Sequence, residues 1–316
     1  MHKKVKTYGI ICASMAENSN ITNILEPPIS TIDIGPRRFT KGFINGKEVI
    51  VVISGDGMTN ATLTTQLLID KFDLDGIFYI GIAGLLNIKY KHGDILIAKN
   101  WAEYQYQKLI RFDDNINLFI DNDINFPNKF YRVNDKIVAL TRPSCENCNS
   151  ININGQTIKN INDDTFVSKY FAIPMESPII RNIVDTDLTI PQQFWFPVNK
   201  KLLSYAKKVS LCKIKLQPID DKIPDIHIVE NGISSQSFVD NIEYRKRIHK
   251  IFNADLVDME SAAFIHTCET NNIPGIIIRG MSDLIGFSSK EAIDALIDVV
   301  SRNNIIIMSE ILKIIN

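Results

Sequence analysis

Apolar positions along the chain gather into short runs divided by polar turns, and the spacing inside each run predicts its element. Residues 5–13, VKTYGIICA, form an apolar run of buried-strand type. RFTKGFINGKEVIVVIS holds two β-rich runs around Asn45-Gly46, the strongest short-range hairpin signal. GDGMTNATLTTQLLIDKF turns on glycine and starts a helix, with Leu63, Leu67 and Leu68 expected on one face. GIFYIGIAG follows as a second buried strand that ends in glycines. Strand, helix, strand at this separation implies a right-handed crossover and a largely parallel sheet.

Between about 101 and 225 the periodicity fades. Asn, Asp and Pro are frequent there, with aromatic islands such as FWFPV and one helix expected near 199–209. This stretch reads as a loop-rich insertion in a single domain that spans 1–316. Regular patterning returns with DIHIVENGISS as a strand, NIEYRKRIHKIF and DMESAAFIHTCETN as helices, and PGIIIRGMSD as a strand. From about 289, Ile293, Leu296, Ile297, Val300, Ile307, Met308, Ile311 and Ile315 fall at helical spacing, which predicts a long closing helix. The fold class is therefore α/β, a mixed but mostly parallel sheet flanked by helices.

Composition narrows the partners. The 316 residues carry 35 Lys and Arg against 36 Asp and Glu, with no basic cluster interleaved with aromatics, so a nucleic-acid partner has no electrostatic footprint. No apolar run reaches the roughly 20 residues of a membrane-spanning helix, and the basic start runs into a polar segment too soon for a secretory leader. A soluble, cytoplasmic protein with a small-molecule partner is expected. Five cysteines fit a reduced compartment better than a disulfide framework. Cys145 and Cys148 form one C-x-x-C with no second pair and no nearby His, so zinc lacks ligands and neither metal nor cofactor is expected.

The candidate chemistry lies in carboxylates. In open α/β sheets, ligands collect beyond the carboxyl ends of strands. Glu17 falls just past the first strand, Gly81 to Gly84 just past GIFYI, Glu260 at a helix start after a strand, and Ser282 with Asp283 at the end of GIIIRGM. Singly, Asp283 reads as well as a helix cap, Glu260 as a first-turn acid and Glu17 as a surface residue.

Together, VDMESAAF followed by IRGMSDLIG, Glu17 behind the first strand, and GIAG followed by HGDILIA resemble the purine nucleoside phosphorylase and nucleosidase superfamily, notably its methylthioadenosine/S-adenosylhomocysteine nucleosidase branch. SGDGMTNATLTTQLL, FWFPV and SFVDNIEYRK look like the plant members that include the bark storage proteins. The resemblance implies that Asp283 protonates the imidazole-side nitrogen of a departing purine, while Glu260 binds the ribose hydroxyls and stabilises the sugar cation. Met259 would pack on the sugar, Glu17 would hold and deprotonate the water, Phe238 would stack on the base and the Val239 backbone would read its edge. Ser282, Arg279, Ala83 and Gly84 complete the expected substrate-binding set, and the implied assembly is a homodimer.

Three activities stay open at this point. ASMAENSN, with a glutamate and no glycine after the first strand, suits a water better than a phosphate, so hydrolysis is favoured. Arg37 and Arg38 keep a phosphorylase possible. Ile82 stands where the bacterial nucleosidases have a serine in G-S-A-G, which leaves room for a non-catalytic storage or binding protein.

Overall fold

The computed structural model describes residues 5–109, 130–133, 136–139, 150–153, 156–159, 172–174, 177–178, 192–284 and 290–315, with the side chains of 108–109, of the short stretches between 130 and 178, and of residues 192, 283–284 and 290–295 outside that set. Ten strands among the described residues form one sheet: β1 (Thr7–Cys12), β2 (Glu26–Ile34), β3 (Arg37–Ile44), β4 (Lys47–Ile53), β5 (Gly76–Leu85), β6 (Ile95–Glu103), β7 (Phe196–Pro197), β8 (Ile226–Ser234), β9 (Leu256–Asp258) and β10 (Gly275–Leu284). Their order is β7-β6-β8-β9-β5-β1-β4-β3-β2, with β10 pairing both β5 and β6. β1 runs parallel to β4 and β5, β10 parallel to β5, and β8 parallel to β6 and β9. The β2, β3, β4 meander is antiparallel, so the sheet is mixed as the pattern predicted. Asn45 and Gly46 make the β3–β4 turn, both with positive φ.

Six helices are described: α1 (Met15–Thr22), α2 (Met58–Lys71), α3 (Lys200–Ser210), α4 (Ile242–Phe252), α5 (Ser261–Thr270) and α6 (Lys290–Ile314). A Cβ on Gly275 would press on Ile265 and Cys268 of α5, whereas one on Gly280 would press on Val300 and Asn304 of α6. These glycines sit an odd number of residues apart on one strand, so the two helices cover opposite faces of the sheet. The α6 pattern is borne out at Val300, Ile307, Met308, Ile311 and Ile315, all buried, while the side chain of Ile293 lies outside the described residues.

The apolar face expected for α2 needs correction. Leu68 is buried, but Leu63 is 55% exposed, and the buried positions are Met58, Ala61, Thr64, Thr65 and Leu68. At 3.6 residues per turn position 63 lies about 140° around the helix from Leu68, so the two leucines cannot share the face that packs on α5. Of the middle stretch, FWFPV is ordered onto the sheet edge through β7, and Phe194 joins Tyr104, Ile233 and Phe252 in a second apolar cluster. Cys145 and Cys148 lie outside the described residues. No helix among the described residues is long and apolar enough to cross a membrane.

Candidate active site

Three strand ends deliver the site. β1 ends at Cys12, and the chain turns at once into α1, where Ser14 caps the helix and Glu17 completes a reciprocal capping box. A glutamate at that position ordinarily faces solvent. Here Glu17 is 3% exposed, because its carboxylate turns inward across the ends of β1 and β5. Its Oε2 accepts from Ala13 N and Ser14 N at 2.9 Å each, and its Oε1 accepts from Ile82 N at 3.0 Å. Three backbone donors satisfy an anion that burial would otherwise penalise heavily.

β9 delivers the second group. Asp258 is its last residue and Glu260 is the cap position of α5. Glu260 does not cap its own helix with its side chain. Its Oε1 instead accepts from Gly57 N, at 2.8 Å, at the start of α2. Gly57 has φ +91°, and a Cβ there would meet Gln236 Oε1 at 2.7 Å, so the close approach requires glycine.

β10 delivers the third. Arg279 is 1% exposed and lies over the Tyr79 ring at 4.8 Å. Its Nε is 2.7 Å from Asp258 Oδ2, and its second terminal nitrogen is 3.3 Å from Glu260 Oε2. Asp258 also accepts from Ser234 Oγ at 2.5 Å, from the backbone N–H groups of Glu260 and Ser261, and from Ser261 Oγ. Burial works against the charge of Arg279, but Asp258 and then Glu260 outweigh it and hold the guanidinium charged, above its ordinary range. Glu260 shares that cation at longer range. Burial therefore dominates and lifts its carboxyl from 4.5 to about 7, against the opposing pull of Arg279.

These groups share one cavity of about 280 Å³. Glu17, Glu260, Arg279, Ser282, Met259, Phe238, Val239, Ala83 and Gly84, nine of the ten residues singled out from the sequence, line it. The tenth, Asp283, is placed in backbone only, directly after a register shift that makes Ser282 a bulge in β10, and its side chain lies outside the described residues. Phe238 is 67% exposed, a flat apolar surface on the cavity lining.

Sequence reasoning missed Asp258 as a working part. It stood in the quoted motif, but pairing with a cation 21 residues away leaves no local signal. It also missed Gly57, whose donor is visible only once α2 is placed. Arg37 and Arg38 do not reach the cavity: Arg37 Nε bonds Thr64 Oγ1 at 2.5 Å and Arg38 pairs with Asp33 at the surface. Outside the cavity, Asp94, Asp225 and His227 bring ligand-type atoms within 4.8 Å of one another. Asp94 is there engaged by Lys91 N, Asp225 N and His227, contacts that tie the turn before β6 to β8.

Residues 7–313 match the model of the Phosphorylase superfamily. The chain belongs to this family. Over 291 residues it is 24% identical to a 5'-methylthioadenosine/S-adenosylhomocysteine nucleosidase of Staphylococcus aureus (strain JH9), covering 92% of each chain. Among solved structures it is similar to a 5'-methylthioadenosine/S-adenosylhomocysteine nucleosidase of Colwellia psychrerythraea 34H in complex with adenine (TM-score 0.64, 18% identity, 99% of this chain and 96% of that one). It is also similar to the futalosine hydrolase of Helicobacter pylori strain 26695 (TM-score 0.63, 18% identity, 98% and 99%). As a member of the Phosphorylase superfamily, the chain has the mixed α/β sheet flanked by helices that these relatives share.

Proposed function

We propose that the protein is a purine nucleoside N-glycosidase that uses water. One observation carries the reading: Glu17 and Glu260, 243 positions apart in sequence and both buried, line the same cavity as the aromatic Phe238. Breaking a purine N-glycosidic bond leaves a cationic sugar and a poor leaving group, so a site needs negative charge by the ribose, a base for the water and an acid by the purine. In this assignment Glu260 faces the ribose as an anion, Met259 packs on the sugar, and Glu17 holds the water and takes its proton. Phe238 stacks on the purine, the Val239 backbone reads its edge, and Asp283 donates a proton to the imidazole-side nitrogen. Arg279, paired with Asp258, steadies Glu260 rather than handling the water itself. The adenine bound by the similar Colwellia nucleosidase supports a purine of that type.

Water is favoured over phosphate by the occupancy of the loop after β1. The N–H groups of Ala13 and Ser14 are donors of the kind that bind an inorganic anion, and Glu17 Oε2 already fills them. A storage role is disfavoured by the number of charged groups kept buried in one cavity. The side chain of Ile82 brings no hydroxyl, but its backbone N–H holds Glu17. A homodimer in the cytoplasm belongs to the same reading, and light scattering of the purified chain tests the dimer.

The deciding experiment incubates the protein with methylthioadenosine, adenosylhomocysteine, adenosine and inosine, with and without phosphate, and assays free base. Release without phosphate is expected. Release only with phosphate would make it a phosphorylase, and none at all would leave a binding protein.

A further inference from the structure

Among the described residues, helix α6 buries three polar side chains in an otherwise apolar inner face, Ser301, Asn303 and Asn304, and the two asparagines are fully buried. Asn303 has an evident structural task, exchanging hydrogen bonds with both backbone groups of Gln217 at 2.7 and 3.0 Å. Asn304 does something else. Its Nδ2 donates to the carbonyl oxygen of Gly81 at 2.8 Å, and its Oδ1 has no hydrogen-bond partner among the described residues. The carbonyl can only accept, which fixes the amide orientation. Leaving an amide oxygen buried and unpaired is costly, so stability alone is a poor reason for this residue.

The carbonyl of Gly81 and the N–H of Ile82 belong to one peptide group, and that N–H donates to Glu17 Oε1 at 3.0 Å. A continuous line of donors therefore runs from α6 through the β5 backbone to the carboxylate: Asn304 to Gly81, then Ile82 to Glu17. Hydrogen bonds in series polarise one another, and a rigid planar peptide transmits orientation from one end to the other. Space is reserved for the arrangement. A Cβ on Gly280 would sit 3.1 Å from Asn304 Oδ1 and collide with Val300, and one on Gly81 would sit 2.6 Å from Glu17 Oε1.

We propose that Asn304 is a positioning residue for Glu17, acting through the Gly81–Ile82 peptide without touching substrate. The inference rests on the reading of Glu17 as the group that handles the water. It has a readout that a structural role would not move. Asn304→Leu is nearly isosteric; it takes one donor from the Gly81 carbonyl but also removes the unpaired oxygen, and because these two effects oppose each other the melting temperature is expected to change little. Base release is expected to fall about tenfold in kcat, the worth of one lost hydrogen bond in the transition state, with KM changed less than about twofold.

The test is a cycle of four proteins, wild type, Asn304→Leu, Glu17→Ala and the double variant, with methylthioadenosine as substrate. If Asn304 acts through Glu17, its tenfold effect shrinks below about twofold on the Glu17→Ala background. Equal losses on both backgrounds, or an unchanged kcat in Asn304→Leu, overturn the proposal. Should wild type release no base from any nucleoside, the catalytic reading has failed on its own account, and amide hydrogen exchange then decides the coupling. Ile82 N–H is expected to exchange at least about tenfold faster in Asn304→Leu. Unchanged protection at Ile82 overturns the inference as well.

Discussion

Asp258 Oδ2 stands 2.7 Å from Arg279 Nε, with both side chains shut off from solvent. Deleting one partner of such a pair strands the other charge in the interior, a loss of about 3–5 kcal/mol. Asp258→Asn is therefore expected to lower the unfolding free energy by about that amount in urea denaturation. A loss below about 1 kcal/mol would mean that Arg279 is held by something other than Asp258.

Glu260 predicts opposite pH trends for stability and activity. Its carboxyl binds a proton more readily folded than unfolded, about 7 against 4.5, because burial disfavours the anion. From this group alone, stability is fully present below about 4.5 and is lost as pH rises through about 7. On the proposed reading the ribosyl cation needs the anion beside it, so base release is expected to decline as pH drops below about 7. Glu260→Gln should remove both slopes and cut kcat by about 100- to 1,000-fold. An acid limb that survives in Glu260→Gln would assign the titration to another group.

Gly81 lies where the side chains of Glu17 and Arg279 meet. A Cβ there would run into the Arg279 guanidinium and sit 2.6 Å from Glu17 Oε1. Gly81→Ala is expected to cost about 1–3 kcal/mol through overpacking and to lower kcat, read by thermal unfolding and base release on the same preparation. Wild-type behaviour in both would show that the Glu17–Arg279 gap can widen freely.

Asp283→Asn is expected to lower turnover by about 100- to 10,000-fold while changing ligand affinity far less, since an acid acts on the leaving group in the transition state. Titration calorimetry with adenine alongside kinetics separates the two. Parallel losses would make Asp283 a structural residue.

Much of the fold was legible because buried strands announce themselves as short apolar runs. The α6 stripe and the Asn45-Gly46 hairpin were legible for the same reason: their signals are local. What failed was non-local. The polar sequence of α1 gives no periodicity, and β2 is exposed along nearly its whole length, so neither has a stripe to detect. Leu63 misled because helical spacing alone does not say which stripe a neighbouring helix will accept. Glu17 and Glu260 could be singled out from the sequence, but their supports could not. The partners of Glu17 are backbone N–H groups, which no side-chain pattern encodes, and Asp258 finds Arg279 only through β5, which pairs with the strands that carry both of them.

The bond pattern of Glu17 has a further chemical meaning. Its carboxylate occupies the backbone donors that an inorganic anion would otherwise claim, so on the proposed reading the choice of acceptor for the sugar hangs on the length of one side chain. On that reading, shortening it would free three amide hydrogens, those of Ala13, Ser14 and Ile82, at the edge of the cavity proposed to hold the ribose. From there, the passage from a hydrolytic to a phosphate-consuming reaction would require no change of scaffold.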